Sequence, residues 1–146
     1  RDKVVVYPGI VSTSDQQVIK NNEHYLKSYK ILGEHIRGVQ SEYIVVPYTN
    51  IFRMPKNLSF IDASTIPLVF MTAYEMLVVK GQLKEGDNVL VLGANSGIGS
   101  ASIQIANFFN ATVYTTVSSK EKFNFAEFLG ADKVYYHNKD FYKPIP

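Results

Sequence analysis

Residues 88–99 run Asn88-Val89-Leu90-Val91-Leu92-Gly93-Ala94-Asn95-Ser96-Gly97-Ile98-Gly99. Val89 to Leu92 is an unbroken apolar run, as in a strand covered on both faces of a parallel sheet. Gly93 to Gly99 forms a glycine-rich turn. It opens a helix predicted over Ile98 to Phe109, in which Ile103, Ile105, Ala106 and Phe109 are apolar. Strand, glycine turn and helix in this order form the context that gives a glycine pattern meaning. Glycines let the backbone turn sharply and approach a pyrophosphate, whose charge meets the free N–H groups and the positive dipole end of the helix. Gly93, Asn95, Ser96, Gly97, Ile98 and Gly99 are therefore candidate dinucleotide-binding residues. The competing reading is a tight strand-to-helix turn with no ligand.

The pattern continues downstream. Asn110 suits a left-handed helix terminator, and Thr112 to Val117 reads as a second strand. Ser118 with Glu121 three residues later predicts a capping box and a helix ending at Leu129-Gly130. Lys133-Val134-Tyr135-Tyr136 is a third short strand. Strand, helix, strand, helix, strand is the first half of a doubly wound α/β nucleotide-binding fold. Right-handed crossovers would put both helices on one face of the sheet.

Upstream, Ser59-Phe60-Ile61-Asp62 predicts a capped helix start. Pro67 should break that helix and begin another, running through Phe70 and Val78 to a terminating Gly81. Residues before about 60 hold two β-type runs, Lys3 to Tyr7 and Glu42 to Val46, each ended by a proline. The polar stretch Ser12 to Asn22 between them reads as a loop or lobe, so this region resembles part of an irregular β-domain.

No acidic residue occurs between Asp87 and Glu121. A carboxylate at the end of the second strand would bind the ribose 2′-hydroxyl of NAD. Here that strand ends in Thr116-Val117-Ser118-Ser119, followed by Lys120 and Lys122. Hydroxyls and cations suit a 2′-phosphate, so NADP(H) is expected ahead of NAD(H), with Ser118, Ser119 and Lys122 as contacts. The competing reading of Lys120 and Lys122 is solvation of a helix.

Composition narrows the field. The chain has 146 residues, 46% hydrophobic and 19% charged, with a formal charge of +2. No Lys/Arg tract is dense enough to track a phosphate backbone, so nucleic acid is not an expected partner. The longest apolar run, Ile66 to Ala73, is far too short to span a bilayer, and no secretion-signal pattern is present. The absence of cysteine excludes disulfides, thiol catalysis and every Cys-containing zinc site. His24, His35 and His137 share no metal-ligand spacing. His35 reads as structural, within a Gly-Glu-His turn, and His137 as a surface residue past the third strand. Tyr135-x3-Lys139 falls at that strand and reads as a coincidental match to the short-chain dehydrogenase pattern.

The chain closely resembles the medium-chain dehydrogenase/reductase superfamily, on its quinone-oxidoreductase and zinc-type alcohol-dehydrogenase side. The motifs that carry the likeness are Asp2-Lys3-Val4-Val5-Val6, Pro8-Gly9-Ile10, Ile31-Leu32-Gly33-Glu34-His35, Thr72-Ala73-Tyr74, Gly86-Asp87-Asn88-Val89, Gly97-Ile98-Gly99 and Leu129-Gly130-Ala131-Asp132. The resemblance implies a partial GroES-like, β-rich catalytic domain over residues 1–61, then the first half of a Rossmann NAD(P)-binding domain over 62–146. It implies an NADPH-dependent oxidoreductase that transfers hydride to a carbonyl or conjugated alkene. Its substrate would be a small carbonyl, quinone or alcohol, and it would act as a cytoplasmic homo-oligomer away from membranes. Thr72 would line the cleft near the nicotinamide; Tyr74 is equally explained by helix packing.

The same resemblance argues against zinc. The four lobe-cysteine places of zinc-type members fall at Ser12, Asp15, Val18 and Leu26, and a third catalytic-zinc ligand place falls at Leu68. Val and Leu cannot ligate a metal. No residue is assigned as a general acid or other catalytic group. The abrupt start, and an end that completes no element, suggest the central portion of a longer enzyme, a fragment inactive alone. The alternative is a catalytically inert nucleotide-binding or interaction fragment.

Overall fold

The computed structural model of the chain describes residues 2–11, 26–138 and 141–143. It divides into two compact units, Arg1–Leu68 and Val69–Pro146. Ser12, Asp15, Val18 and the polar stretch to Asn22 lie outside the described residues, as does Lys139 of the Tyr-x3-Lys match.

In the first unit, β1 (Val4–Val6) pairs antiparallel with β4 (Ile51–Arg53), and β2 (Gly9–Ile10) with β3 (Lys30–Ile31). Asn50 closes a 3₁₀ turn, Tyr48–Asn50, and is only 4% exposed. Its Nδ2 donates to the carbonyls of Tyr7 and Gly9, and its own carbonyl accepts from Tyr7 N at 2.8 Å. One buried amide thus holds the β1–β2 connection in place. Beyond β3, Gly33 has φ +88° and Ile31 N donates to His35 Nδ1 at 3.2 Å. The imidazole of His35 closes this turn, the structural role expected of it.

The β-type run Glu42 to Val46 forms no strand. Tyr43 is 90% and Val45 99% exposed. β-Propensity is realised only where a neighbouring strand takes up the backbone groups, and no strand pairs with this run among the described residues, where Ser41 Oγ donates to the Tyr43 carbonyl at 2.8 Å. The capped start at Ser59 forms as expected. Ser59 Oγ accepts from Asp62 N at 3.1 Å and donates to Asp62 Oδ2 at 2.6 Å, opening α1 (Phe60–Ser64).

The second unit follows from α2 (Ile66–Tyr74), which continues as a π-helical turn, Glu75–Lys80. Gly81 N donates to Met76 O at 2.9 Å, five residues back. Gly81 is not the left-handed terminator that the sequence suggested: its φ is −76°, and Gln82 takes the positive φ of 51°. Glycine is needed at 81 for space, because a Cβ there would meet the carbonyl oxygens of Leu77 and Met76.

β5 (Asn88–Val91), β6 (Thr112–Val117) and β7 (Lys133–Tyr136) form a parallel sheet in the order β5-β6-β7, with Val91 opposite Thr115 and Val117 opposite Tyr136. The crossover helices are α3 (Gly97–Phe108) and α4 (Glu121–Phe128). Asn110 ends α3 region with φ 56°, and Gly130 follows α4 with φ +103°. The core is built from Val91, Ala94, Ile103, Ala106, Val113, Val117 and Ala126. Small residues on the helices let them lie close to the sheet. Thr115 is fully buried and satisfies its hydroxyl by donating to Val91 O at 2.7 Å.

Candidate functional site

The glycine turn is fixed by bonds from within itself and from β6. Gly93 has φ +76°, a conformation that favours glycine. Its N–H donates to Thr116 Oγ1 at 3.1 Å, and Ala94 N donates to Thr116 O at 3.0 Å. Thr116 is fully buried, so the end of β6 anchors the turn after β5. Ser96 is the N-cap of α3: its Oγ accepts from Gly99 N at 2.9 Å and donates to Gly93 O at 3.0 Å. At Gly99 a Cβ would overlap the Gly93 carbonyl oxygen and crowd Ser96 Oγ. At Gly97 a Cβ would press on Val69 Cγ1, so this glycine serves close packing.

These bonds leave the N–H groups of Gly97 and Ile98 without a protein acceptor among the described residues. They stand at the positive end of a twelve-residue helix whose first turn holds no acidic side chain. That arrangement suits an anionic phosphate.

A cleft of about 490 Å³ opens over the turn, lined by residues that include Asn95, Ser96, Thr116, Ser118, Lys122 and His137. Lys122 Nζ donates to Ser118 Oγ at 3.0 Å. No carboxylate is among the described lining residues. The expected capping box at Ser118 and Glu121 does not form. Lys120 occupies the N-cap of α4 without a side-chain bond, and Ser119 Oγ instead donates to Glu121 Oε2 at 2.9 Å. Ser118 is thereby left to the cation.

Of the residues singled out from sequence, Gly93, Asn95, Ser96, Ser118 and Lys122 line the cleft. Gly97, Ile98 and Gly99 form the start of α3. Ser119 is turned to Glu121, and Thr72 sits exposed on α2, outside the cleft lining. Thr116 and His137 are the members that sequence reading missed or passed over. Parallel register reveals them: Val117 lies opposite Tyr136, so His137 follows β7 level with Ser118 after β6.

Leu68, the supposed third zinc-ligand place, is 58% exposed. Among the described residues, no group of three His, Asp or Glu side chains could hold a metal ion. No helix among them is long and apolar enough to cross a membrane.

A parallel sheet with a glycine turn between its first strand and first helix defines a Rossmann-type unit. The family model described as zinc-binding dehydrogenase matches residues 97–145. The crystal structure of an NAD-dependent alcohol dehydrogenase superposes with a TM-score of 0.91 at 41% identity, over 97% of this chain and 42% of that one. The 2-methylene-furan-3-one reductase of Solanum lycopersicum is 37% identical over 110 residues, 75% of this chain and 28% of the reductase. A highly reducing polyketide synthase of Aspergillus terreus is 36% identical over 96 residues, 62% of this chain and 4% of the synthase. The chain belongs to the medium-chain dehydrogenase/reductase superfamily. It spans less than half the length of each of these relatives.

Proposed function

We propose that this chain contributes the pyrophosphate- and 2′-phosphate-binding portion of an NADPH-dependent, zinc-independent oxidoreductase. The observation that carries the reading is the Lys122–Ser118 pair at 3.0 Å, in a cleft with no carboxylate among its described lining residues. A carboxylate there would bond the ribose 2′-hydroxyl and repel a 2′-phosphate; a lysine and a hydroxyl attract one. The helix start at Gly97 and Ile98 would receive the pyrophosphate, in a turn that Gly93 closes at positive φ and that Gly99 keeps tight against the Gly93 carbonyl.

A bound nicotinamide would supply hydride to the electrophilic carbon of a carbonyl or a conjugated alkene, as the names of the reductase and dehydrogenase relatives suggest. The role of this chain's residues is to hold and orient the dinucleotide. Zinc independence is supported by residue type: there is no cysteine in the sequence, and Val18, Leu26 and Leu68 cannot ligate. A cytoplasmic homo-oligomer is part of the same proposal.

The test is calorimetric titration of the chain with NADPH and NADH. Tighter binding of NADPH is expected; equal affinity for the two would remove the reading. A second reading, an inert interaction fragment, is favoured by one observation. On β5, Leu90 is 44% exposed while its neighbour Val91 is buried, and Leu92 beyond the strand is 55% exposed. Absence of binding to either dinucleotide at millimolar concentration would select it.

A further inference from the structure

We propose that the first unit carries an anion site of its own, in which Lys3, Arg53 and Lys56 bind the phosphate group of a phosphate ester, independently of any dinucleotide. The site is a pocket of about 410 Å³ lined by Asp2, Lys3, Arg53, Met54, Pro55 and Lys56. All six belong to the first unit. Three cations therefore stand against one carboxylate; Arg1, next in sequence, lies outside the described residues. The cations come from opposite ends of the unit's sequence, and the fold brings them together. β1 and β4 pair with Val4 opposite Arg53, and Met54 N donates to Lys3 O at 3.0 Å, one rung beyond the ladder. Met54 is buried, which holds that rung in place. Pro55 then ends β4, having no N–H to continue it. Leu58 N donates to Pro55 O at 3.3 Å, and this turn carries Lys56 to the pocket wall.

Among the described residues nothing neutralises this group. The ion pairs formed there are Glu34–His35 and Glu75–Lys80, and neither involves Lys3, Arg53 or Lys56. Asp62, near in sequence, is engaged by Ser59 Oγ at 2.6 Å. Like charges on neighbouring rungs of an antiparallel pair repel, a cost that an anion in the pocket would remove. Lys3 Nζ lies 5.3 Å from the centre of the Phe60 ring. An aromatic face holds a cation in place without neutralising it, so this ammonium keeps its charge for a ligand.

Residue type selects the ligand. Arginine presents a planar fork of donors that matches two phosphate oxygens, and lysine adds compact point charges. The volume falls within the ~300–1,000 Å³ span of small-molecule sites, so the pocket holds more than a bare phosphate. Met54 and Pro55 offer the rest of the ligand an apolar wall. A phosphate ester meets both requirements, its anion facing the cations and its carbon skeleton facing the wall. Asp2 opposes the anion and tempers its affinity.

The experiment follows backbone amide shifts of the isotope-labelled chain by NMR during titration with glycerol 3-phosphate, with sodium chloride at matched ionic strength as the control. Amides of residues 93–99 report the dinucleotide cleft separately. Saturable shifts at residues 2–4 and 53–56 are expected. Arg53→Gln should weaken binding there by about tenfold, the loss of a charged hydrogen-bonding partner. Lys56→Gln, in the turn outside the ladder, should weaken it less, and Asp2→Asn should strengthen it by about twofold, as for an exposed charge pair. Shifts at these residues that sodium chloride reproduces overturn the inference. So do shifts confined to residues 93–99, or an affinity that neither Arg53→Gln nor Lys56→Gln lowers. Cosedimentation with phosphatidic acid vesicles, lost in Arg53→Gln, would support the site with a lipid headgroup as the phosphate source. Glycerol 3-phosphate binding without cosedimentation would support it with a soluble ester.

Discussion

Lys122 Nζ reaches back across the first turn of α4 to donate to Ser118 Oγ at 3.0 Å, at the end of β6. The helix thus places its cation beside the end of β6, which the proposed function assigns to the ribose of a dinucleotide. Replacing Lys122 by Glu reverses that charge. NADPH affinity should fall by about tenfold or more, the loss of one charge-assisted contact. NADH affinity should be unchanged or slightly higher, because the new carboxylate can bond a 2′-hydroxyl. Calorimetric titration of both cofactors checks the split. An equal loss for the two would place Lys122 outside 2′-phosphate recognition.

Thr116 acts on the turn rather than on the 2′-position. Thr116→Val keeps the shape but removes the acceptor of Gly93 N–H. Stability should fall by about 1–2 kcal/mol, and both dinucleotides should bind more weakly by similar factors. Thermal melting and titration read the two effects separately, and a cofactor-selective change would contradict this assignment.

Gly99→Ala forces a methyl group against the Gly93 carbonyl oxygen and Ser96 Oγ. The helix start must shift, at a cost of about 1–3 kcal/mol. Ser96→Ala removes the N-cap but adds no bulk, and should cost about 1 kcal/mol. Gly99→Ala should therefore be the more harmful to dinucleotide binding. If Ser96→Ala abolished binding and Gly99→Ala did not, the turn would have to work through the serine hydroxyl instead of through backbone approach.

What could be read in advance was what depends on neighbours in sequence. The Ser59–Asp62 cap, Asn110 as a left-handed terminator and the glycine turn each need only a few adjacent residues. Glu42 to Val46 was misread because its strand character requires a partner from elsewhere in the chain. Gly81 was assigned the conformation that Gln82 adopts, since the π-helical turn shifts the helix end by one residue. In the cleft, Ser118 and Lys122 were legible as local chemistry following a strand. Thr116 and His137 were not, because alignment of strand ends across the sheet brings them to the turn.

In the first unit, Asn50 offers a test independent of any ligand. Asn50→Ala removes the amide donor to the part-buried carbonyl of Tyr7 and the buried carbonyl of Gly9. A loss of about 2–3 kcal/mol is expected, measured by thermal or denaturant unfolding of the chain. A change under about 0.5 kcal/mol, as at an ordinary surface site, would show that the amide does not anchor the β1–β2 connection.

The π-helical turn at Glu75–Lys80 has a consequence for the history and engineering of the chain. A bond spanning five residues encloses one residue more than an α-helical bond does. Deleting a single residue there can be absorbed by closing the turn to α-helix, leaving α2 and β5 on their present axes. The same deletion inside α3 would rotate every later side chain of that helix by about 100°. Length variation among close relatives should therefore be tolerated between Tyr74 and Gly81 and rejected between Gly97 and Phe108.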